Sequence, residues 1–231
     1  MKRKYVILFF FLLGTLFPSS IVAQEINEEP GGSGVTKPEP FYRYNAEGGI
    51  QIAYPIKDGA FKQNFVGIYS FDGAITAGIT KRFYAGIDLH YCQFATAVNP
   101  KYDTIKTQMI DYLGGIRLGY HSSLVNTFVF NGTLSGGEGL VTYNSVPVVA
   151  PKGYNQQTTY FNITLAENYN ASEGIIVGFQ LSYTYLTYNF NPDNIGFQHF
   201  YNYNNSDKQG PTTFISWGFQ IMYCFGKKKG G

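Results

Sequence analysis

Residues Thr212 to Phe225 read T-T-F-I-S-W-G-F-Q-I-M-Y-C-F, and their alternation decides the fold class. Taken two at a time, Ile215, Trp217, Phe219, Ile221, Tyr223 and Phe225 fall on one face. Ser216, Gly218, Gln220, Met222 and Cys224 fall on the other. A period of two kept over these eleven positions describes a β-strand with one apolar face and one small or polar face. At a rise of about 3.3 Å per residue, such a strand can cross the hydrocarbon core of a bilayer at a tilt of about 45°. A strand this long needs partners of the same kind.

The chain before it supplies seven. The first, near Asn45 to Ile56, sets Ile50, Ile52, Tyr54 and Ile56 against Glu47, Gly49, Gln51 and Ala53. The second, Phe65 to Thr80, sets Tyr69, Phe71, Ile75, Ala77 and Ile79 against Ser70, Asp72, Thr76 and Gly78. In the third, Ala85, Ile87, Leu89 and Tyr91 oppose Gly86, Asp88, His90 and Cys92. In the fourth, Ile110, Tyr112, Ile116, Leu118 and Tyr120 oppose Asp111, Leu113, Gly115, Arg117 and Gly119. The fifth, from about Val125, places Phe128, Phe130 and Leu134 opposite Asn131, Thr133 and Ser135. Its far end, Gly136-Gly137-Glu138-Gly139, is a candidate bulge. The sixth sets Phe161, Ile163 and Leu165 against Tyr160, Asn162 and Thr164. The seventh sets Ile175, Val177, Phe179, Leu181, Tyr183 and Tyr185 against Gly178, Gln180, Ser182 and Thr184. Short turns are expected at 81–83, 121–124 and 168–173, and longer loops at 57–64, 97–106, 144–157 and 189–210.

Where the charges fall tells which solvent each face meets. Glu47, Asp72, Asp88, Asp111 and Arg117 all lie opposite the apolar face. A charge on a lipid-facing position at mid-membrane costs about 2–4 kcal/mol for Arg or Lys, whereas a barrel interior tolerates it. A soluble sandwich would turn its charged face outward and fill it with Lys and Glu. Here the polar face is mainly Gly, Ser, Thr, Asn and Gln. The expected fold is therefore all-β: an eight-stranded antiparallel up-and-down transmembrane β-barrel over residues 41–226. Eight strands enclose an interior that side chains fill, so no open pore is expected.

The start of the chain supports export. Met1-Lys2-Arg3-Lys4 is basic, Tyr5 to Phe17 is largely apolar, and Ala23 precedes Gln24 as a small residue suited to cleavage. Residues 1–23 read as a signal peptide, 24–40 as a disordered Glu/Gly/Pro-rich lead-in, and 227–231 as a basic tail. Removing Lys2, Arg3 and Lys4 from the 17 basic residues leaves 14 against 15 acidic ones, a net charge of about −1. That balance gives no basis for nucleic-acid binding. Aromatic residues make up 18% of the chain, a richness suited to membrane–water interfaces. Cys92 and Cys224 are expected as free thiols.

The alternating strands, the leader and the terminal aromatic Phe225 resemble small bacterial outer-membrane β-barrels of the OmpA/OmpX/OmpW kind. The Ala23-Gln24 junction and the Tyr/Asn-rich loops look like those of Bacteroidota exported proteins. The resemblance implies outer-membrane localisation, lipid as the surrounding medium, and the barrel assembly machinery as a partner reading the last strand. It implies no catalytic motif, and no cofactor or metal is expected.

Within that frame, Glu47, Asp88, Asp111 and Arg117 are candidates for a polar network filling the lumen, with an Asp88–Arg117 ion pair at its centre. Trp217, Phe219, Ile221, Tyr223 and Phe225 are the expected lipid face of the closing strand. Phe197, His199, Phe200, Tyr201 and Tyr203 are candidates for contacting an extracellular protein or glycan. A conduit or binder for a small hydrophobic ligand, as in OmpW-like barrels, would require an apolar lumen, and this one reads mostly polar. His121-Ser122-Ser123 invites comparison with lipid A esterases, but no acid stands at a spacing that would complete a triad.

Overall fold

The computed structural model describes residues 42–56, 59–96, 106–125, 128–146, 154–191 and 211–227. These belong to one unit spanning Pro40–Gly231. The leader, the lead-in and the loop candidates Phe197, His199, Phe200, Tyr201 and Tyr203 lie outside the described residues.

Eight strands pair in chain order: β1 (Tyr42–Pro55), β2 (Phe65–Gly78), β3 (Phe83–Thr96), β4 (Lys106–Val125), β5 (Phe128–Val146), β6 (Tyr154–Ser172), β7 (Ile175–Asn189) and β8 (Pro211–Lys227). Each is antiparallel to its neighbours, and β1 pairs β8 from Tyr42↔Lys227 to Pro55↔Phe214. The sheet is a closed barrel with no free edge. One short helix, α1 (Ala60–Asn64), sits between β1 and β2.

Closure turns the two faces of every strand into an exterior and an interior. On β8, Trp217, Phe219, Ile221, Tyr223 and Phe225 are exposed, with Phe219 reaching 73%, while Ser216, Gln220, Met222 and Cys224 are buried. The same division holds on β1, where Ile50, Ile52 and Tyr54 are exposed and Glu47, Gln51 and Ala53 are buried. Apolar outside and polar inside is the inverse of a water-soluble barrel, and it marks a transmembrane one. Tyr44 stacks on Phe225, Phe83 packs against Tyr120, and Phe128 meets Tyr169 edge-on. These pairs form an aromatic girdle at the end of the barrel that carries the short connections. At the other end the outward positions turn polar, with Gln108, Asn144, Gln157 and Thr159 exposed.

The strands are longer than the alternation suggests. β4 continues through His121 to Val125, so the expected turn at 121–124 is strand. Pairing explains the extension: His121 N–H donates to Arg82 O, and its ring bonds Lys81 O at 2.8 Å. β6 likewise runs through Asn168 to Ser172, and the chain reverses at Glu173–Gly174. Gly174 has φ +77°, a left-handed conformation that suits glycine.

The expected bulge at Gly136–Gly139 is also absent, because the β4–β5 register runs unbroken from Lys106↔Val146 to Ser123↔Val129. A shift occurs instead on β2 between Gly67 and Tyr69. There the extra residue swaps inward and outward parity. Ser70 and Asp72 remain inside as expected, but Phe65 is turned inside as well.

Among the described strand residues, two carboxylates face outward. Glu138 is exposed beside its register partner Thr159, near the polar end. Glu167 is exposed between the outward Leu165 and Tyr169, and is paired with Phe130 and Phe179. The rule that strand charges point inward holds for Glu47, Asp72, Asp88, Asp111 and Arg117, and fails for these two.

Candidate functional site

The lumen has two storeys. The lower one is polar and sits towards the short-connection end. Arg117 on β4 reaches across to Glu47 on β1, with Nη1 3.0 Å from Oε2 and both side chains almost wholly buried. Its Nη2 donates to Thr133 Oγ1 at 3.3 Å. Asp88 takes other partners: His90 at 2.6 Å and the hydroxyl of Tyr160, which donates to Oδ1 at 2.8 Å. The Asp88–Arg117 pair read from the sequence is therefore replaced by two pairs, Arg117–Glu47 and Asp88–His90. The reason lies in closure. β3 and β4 are neighbours, and a long guanidinium starting beside Asp88 reaches past it to the opposite wall.

Glycines make room for these crossings. Tyr160 on β6 lies over Gly137 and Gly115, its register neighbours in sequence across β5 and β4. A Cβ on Gly115 would stand 2.7 Å from the Tyr160 hydroxyl and also run into the carbonyl of Gly136. A Cβ on Gly119 would collide with the ring of Tyr84.

Asp72 is the hub of the next level. Gln51 and Gln180 each donate their amide to its Oδ1 at 2.7 Å. Ser70 and Cys92 lie 3.2 Å apart, and Asn168 accepts from Gln220 at 2.6 Å. Asp111 is fully buried, and among the described residues neither of its carboxylate oxygens has a hydrogen-bond partner. Cys92 and Cys224 are both buried and free.

The upper storey is apolar. Phe61 of α1, Phe65, Phe94, Met109, Tyr143, Leu186, Phe190 and Phe214 form one buried cluster across the end that carries the long connections. Phe61 packs on Phe65 and meets Phe94 edge-on, and Phe94 meets Phe214 edge-on. The lumen read as mostly polar is thus corrected to a polar chamber under an aromatic roof. Phe94, Phe214 and Tyr143 share the inward parity of Cys92, Ser216 and Ser135, so the alternation could have located them. Phe65 could not be found that way, because the β2 bulge reverses its parity.

The His121 ring stacks on Tyr84 and bonds the backbone carbonyl of Lys81. Among the described residues no group of three or more His, Cys, Asp or Glu side chains forms a metal cluster. A recess of about 480 Å³ involving Phe71, Gly73, Leu89, Tyr91, Tyr112 and Gly114 borders the exposed apolar wall.

No protein-family model matches this chain, and no curated protein is similar to it by sequence. Solved structures with a related shape are small outer-membrane barrels. The attachment invasion locus protein Ail of Yersinia pestis is 12% identical with a TM-score of 0.44, the match covering 80% of this chain and 99% of that one. Neisserial surface protein A is 10% identical with a TM-score of 0.49, covering 79% and 97%. The outer membrane protease OmpT of Escherichia coli is 10% identical with a TM-score of 0.41, covering 80% and 95%. Likeness at this level says nothing about activity, and a protease stands among these barrels.

Proposed function

We propose that this chain is a non-enzymatic barrel of a bacterial outer membrane that displays four loops on the cell surface and acts as a structural or interaction protein. The observation that carries this reading is the roofed lumen. A barrel whose interior is filled below by ion pairs and above by aromatic rings leaves its rim as the surface available to partners. The connections at the roofed end, 56–64, 97–105, 147–153 and 190–210, are longer than those at the other end, 79–82, 126–127 and 173–174. Long loops outside and short turns inside are the usual arrangement of outer-membrane barrels. The basic-apolar leader at 1–23 supports export, and the aromatic last strand supports handling by the assembly machinery. Loop 190–210 carries Phe197, His199, Phe200, Tyr201 and Tyr203, a composition suited to a protein or glycan partner.

The test is a surface-binding screen with cells displaying the intact chain and a variant lacking 192–209. Binding to host proteins or glycans that is lost with the deletion, while the refolded variant still migrates as a heat-modifiable barrel, supports the reading. Equal binding by both refutes the assignment to this loop.

A second reading, a binder of small hydrophobic ligands, is favoured by the apolar upper storey. Saturable binding of a fluorescent fatty acid, abolished by Phe94→Asp, would put it first.

A further inference from the structure

The rim at the short-connection end is basic along one arc. Arg43 on β1, and Lys81 and Arg82 in the β2–β3 connection, are all exposed. Lys227 ends β8 opposite Tyr42, and the sequence continues into Lys228 and Lys229. These positions fall on consecutive members of the ring, β8, β1, β2 and β3. The described carboxylate of this rim, Glu173, stands apart from them in the β6–β7 connection. At the other end the outward Gln108, Asn144, Gln157 and Thr159 carry no charge.

Each cation of the arc adjoins a ring of the aromatic girdle. Arg43 precedes Tyr44 and places its guanidinium carbon over that ring, 5.7 Å from the centroid. Tyr44 stacks on Phe225, which stacks in turn on Tyr223. Arg82 precedes Phe83, which packs against Tyr120. Gly226, at φ +72°, lies against β1, and a Cβ there would stand 3.2 Å from Arg43 Cβ. Girdle rings lie at the level of lipid headgroups, and long basic side chains beside them keep their charged ends in that polar layer. Among the described residues, none of Arg43, Lys81 and Arg82 takes part in an ion pair. Unanswered cations at headgroup height are drawn to an anionic lipid surface.

We propose that the β8–β1–β2–β3 arc docks anionic phospholipid. Arg43, Lys81 and Arg82 contact headgroup phosphates, while Tyr44 and Phe83 pack beside the glycerol and the upper acyl chains. A lipid phosphate fits better than a soluble anion, because each cation is tied to a ring that stays in the membrane interface. The contact needs only the barrel and is independent of what the loops bind. The proposed orientation of the short connections decides only which leaflet supplies the lipid.

The experiment titrates the full chain, refolded in zwitterionic detergent, with phosphatidylglycerol or with phosphatidylcholine, and follows melting by loss of the heat-modifiable band. Phosphatidylglycerol is expected to raise the melting temperature saturably at low ionic strength, phosphatidylcholine much less, and high salt should remove most of the difference. Arg43→Gln, Lys81→Gln and Arg82→Gln together change only exposed side chains. They should weaken the apparent affinity for phosphatidylglycerol on the order of 100-fold at low ionic strength. Lys101→Gln, Lys152→Gln and Lys208→Gln together, in the long connections, reach the same net charge and should leave the response unchanged. An equal rise with both lipids overturns the proposal. So does equal weakening in the two triple variants, since net charge is then the cause. So does a stabilising effect of the arc that persists in phosphatidylcholine and vanishes when residues 25–39 are deleted. The partner is then the acidic lead-in with Glu25, Glu28, Glu29 and Glu39.

Discussion

Replacing Arg117 with methionine tests whether the barrel interior is held by its cross-lumen ion pair. Arg117 and Glu47 side chains are 3% and 2% exposed and meet at 3.0 Å. Arg117→Met leaves the Glu47 carboxylate buried without its counter-charge, near Asp72 and Asp88. Removing one partner of such a pair costs about 3–5 kcal/mol, because the survivor keeps its desolvation penalty and loses its compensation. That is roughly two to four powers of ten in the folding equilibrium. Removing both partners, in Glu47→Gln with Arg117→Met, should recover most of the loss, since neither desolvated charge then remains. The assay is reversible urea unfolding in detergent or lipid vesicles. Trp217, the only tryptophan and an outward one, reports release from the apolar medium. A single-variant cost below about 1 kcal/mol would refute the reasoning, since that is what an exposed pair is worth. So would a double variant whose loss equals the sum of the two singles, because the pair would then be uncoupled.

Two further outcomes follow from the same geometry. Tyr160→Phe removes the hydroxyl that donates to Asp88 Oδ1 at 2.8 Å, and should cost about 1.5–3 kcal/mol in the same unfolding assay, the range for a hydrogen bond to a charged group. Glu167→Leu exchanges an exposed carboxylate, flanked by Leu165 and Tyr169, for a side chain matching its surroundings. It should stabilise the barrel in lipid vesicles by about 1 kcal/mol, less than the known cost of a basic residue at mid-membrane; destabilisation there would indicate that Glu167 is covered by something other than lipid.

The alternation along each strand was enough to define eight strands, their two faces and the side that meets lipid. This works because pleat geometry is local: successive side chains point to opposite faces whatever the strand pairs with. Trp217, Phe219, Ile221, Tyr223 and Phe225 were assigned to the exterior on that ground alone, and Glu47, Asp88, Asp111 and Arg117 to the interior. Strand ends were less legible. His121 and Asn168 are polar residues beside turn-forming neighbours, and pairing on both sides keeps them in the sheet, His121 with Asn131 and Arg82, Asn168 with Val129 and Gly178.

Tertiary structure alone decided who meets whom inside. The partner of Arg117 lies three strands away on β1, a neighbour created by closing the sheet and invisible to any local pattern. The bulge between Gly67 and Tyr69 is likewise set by the β2–β3 register, and by reversing one strand's parity it adds Phe65 to the roof. Periodicity is a property of one strand, so the chain declares it directly. Register and closure belong to pairs of strands and to the whole ring, so the polar chamber and its aromatic cover exist only once all eight have met.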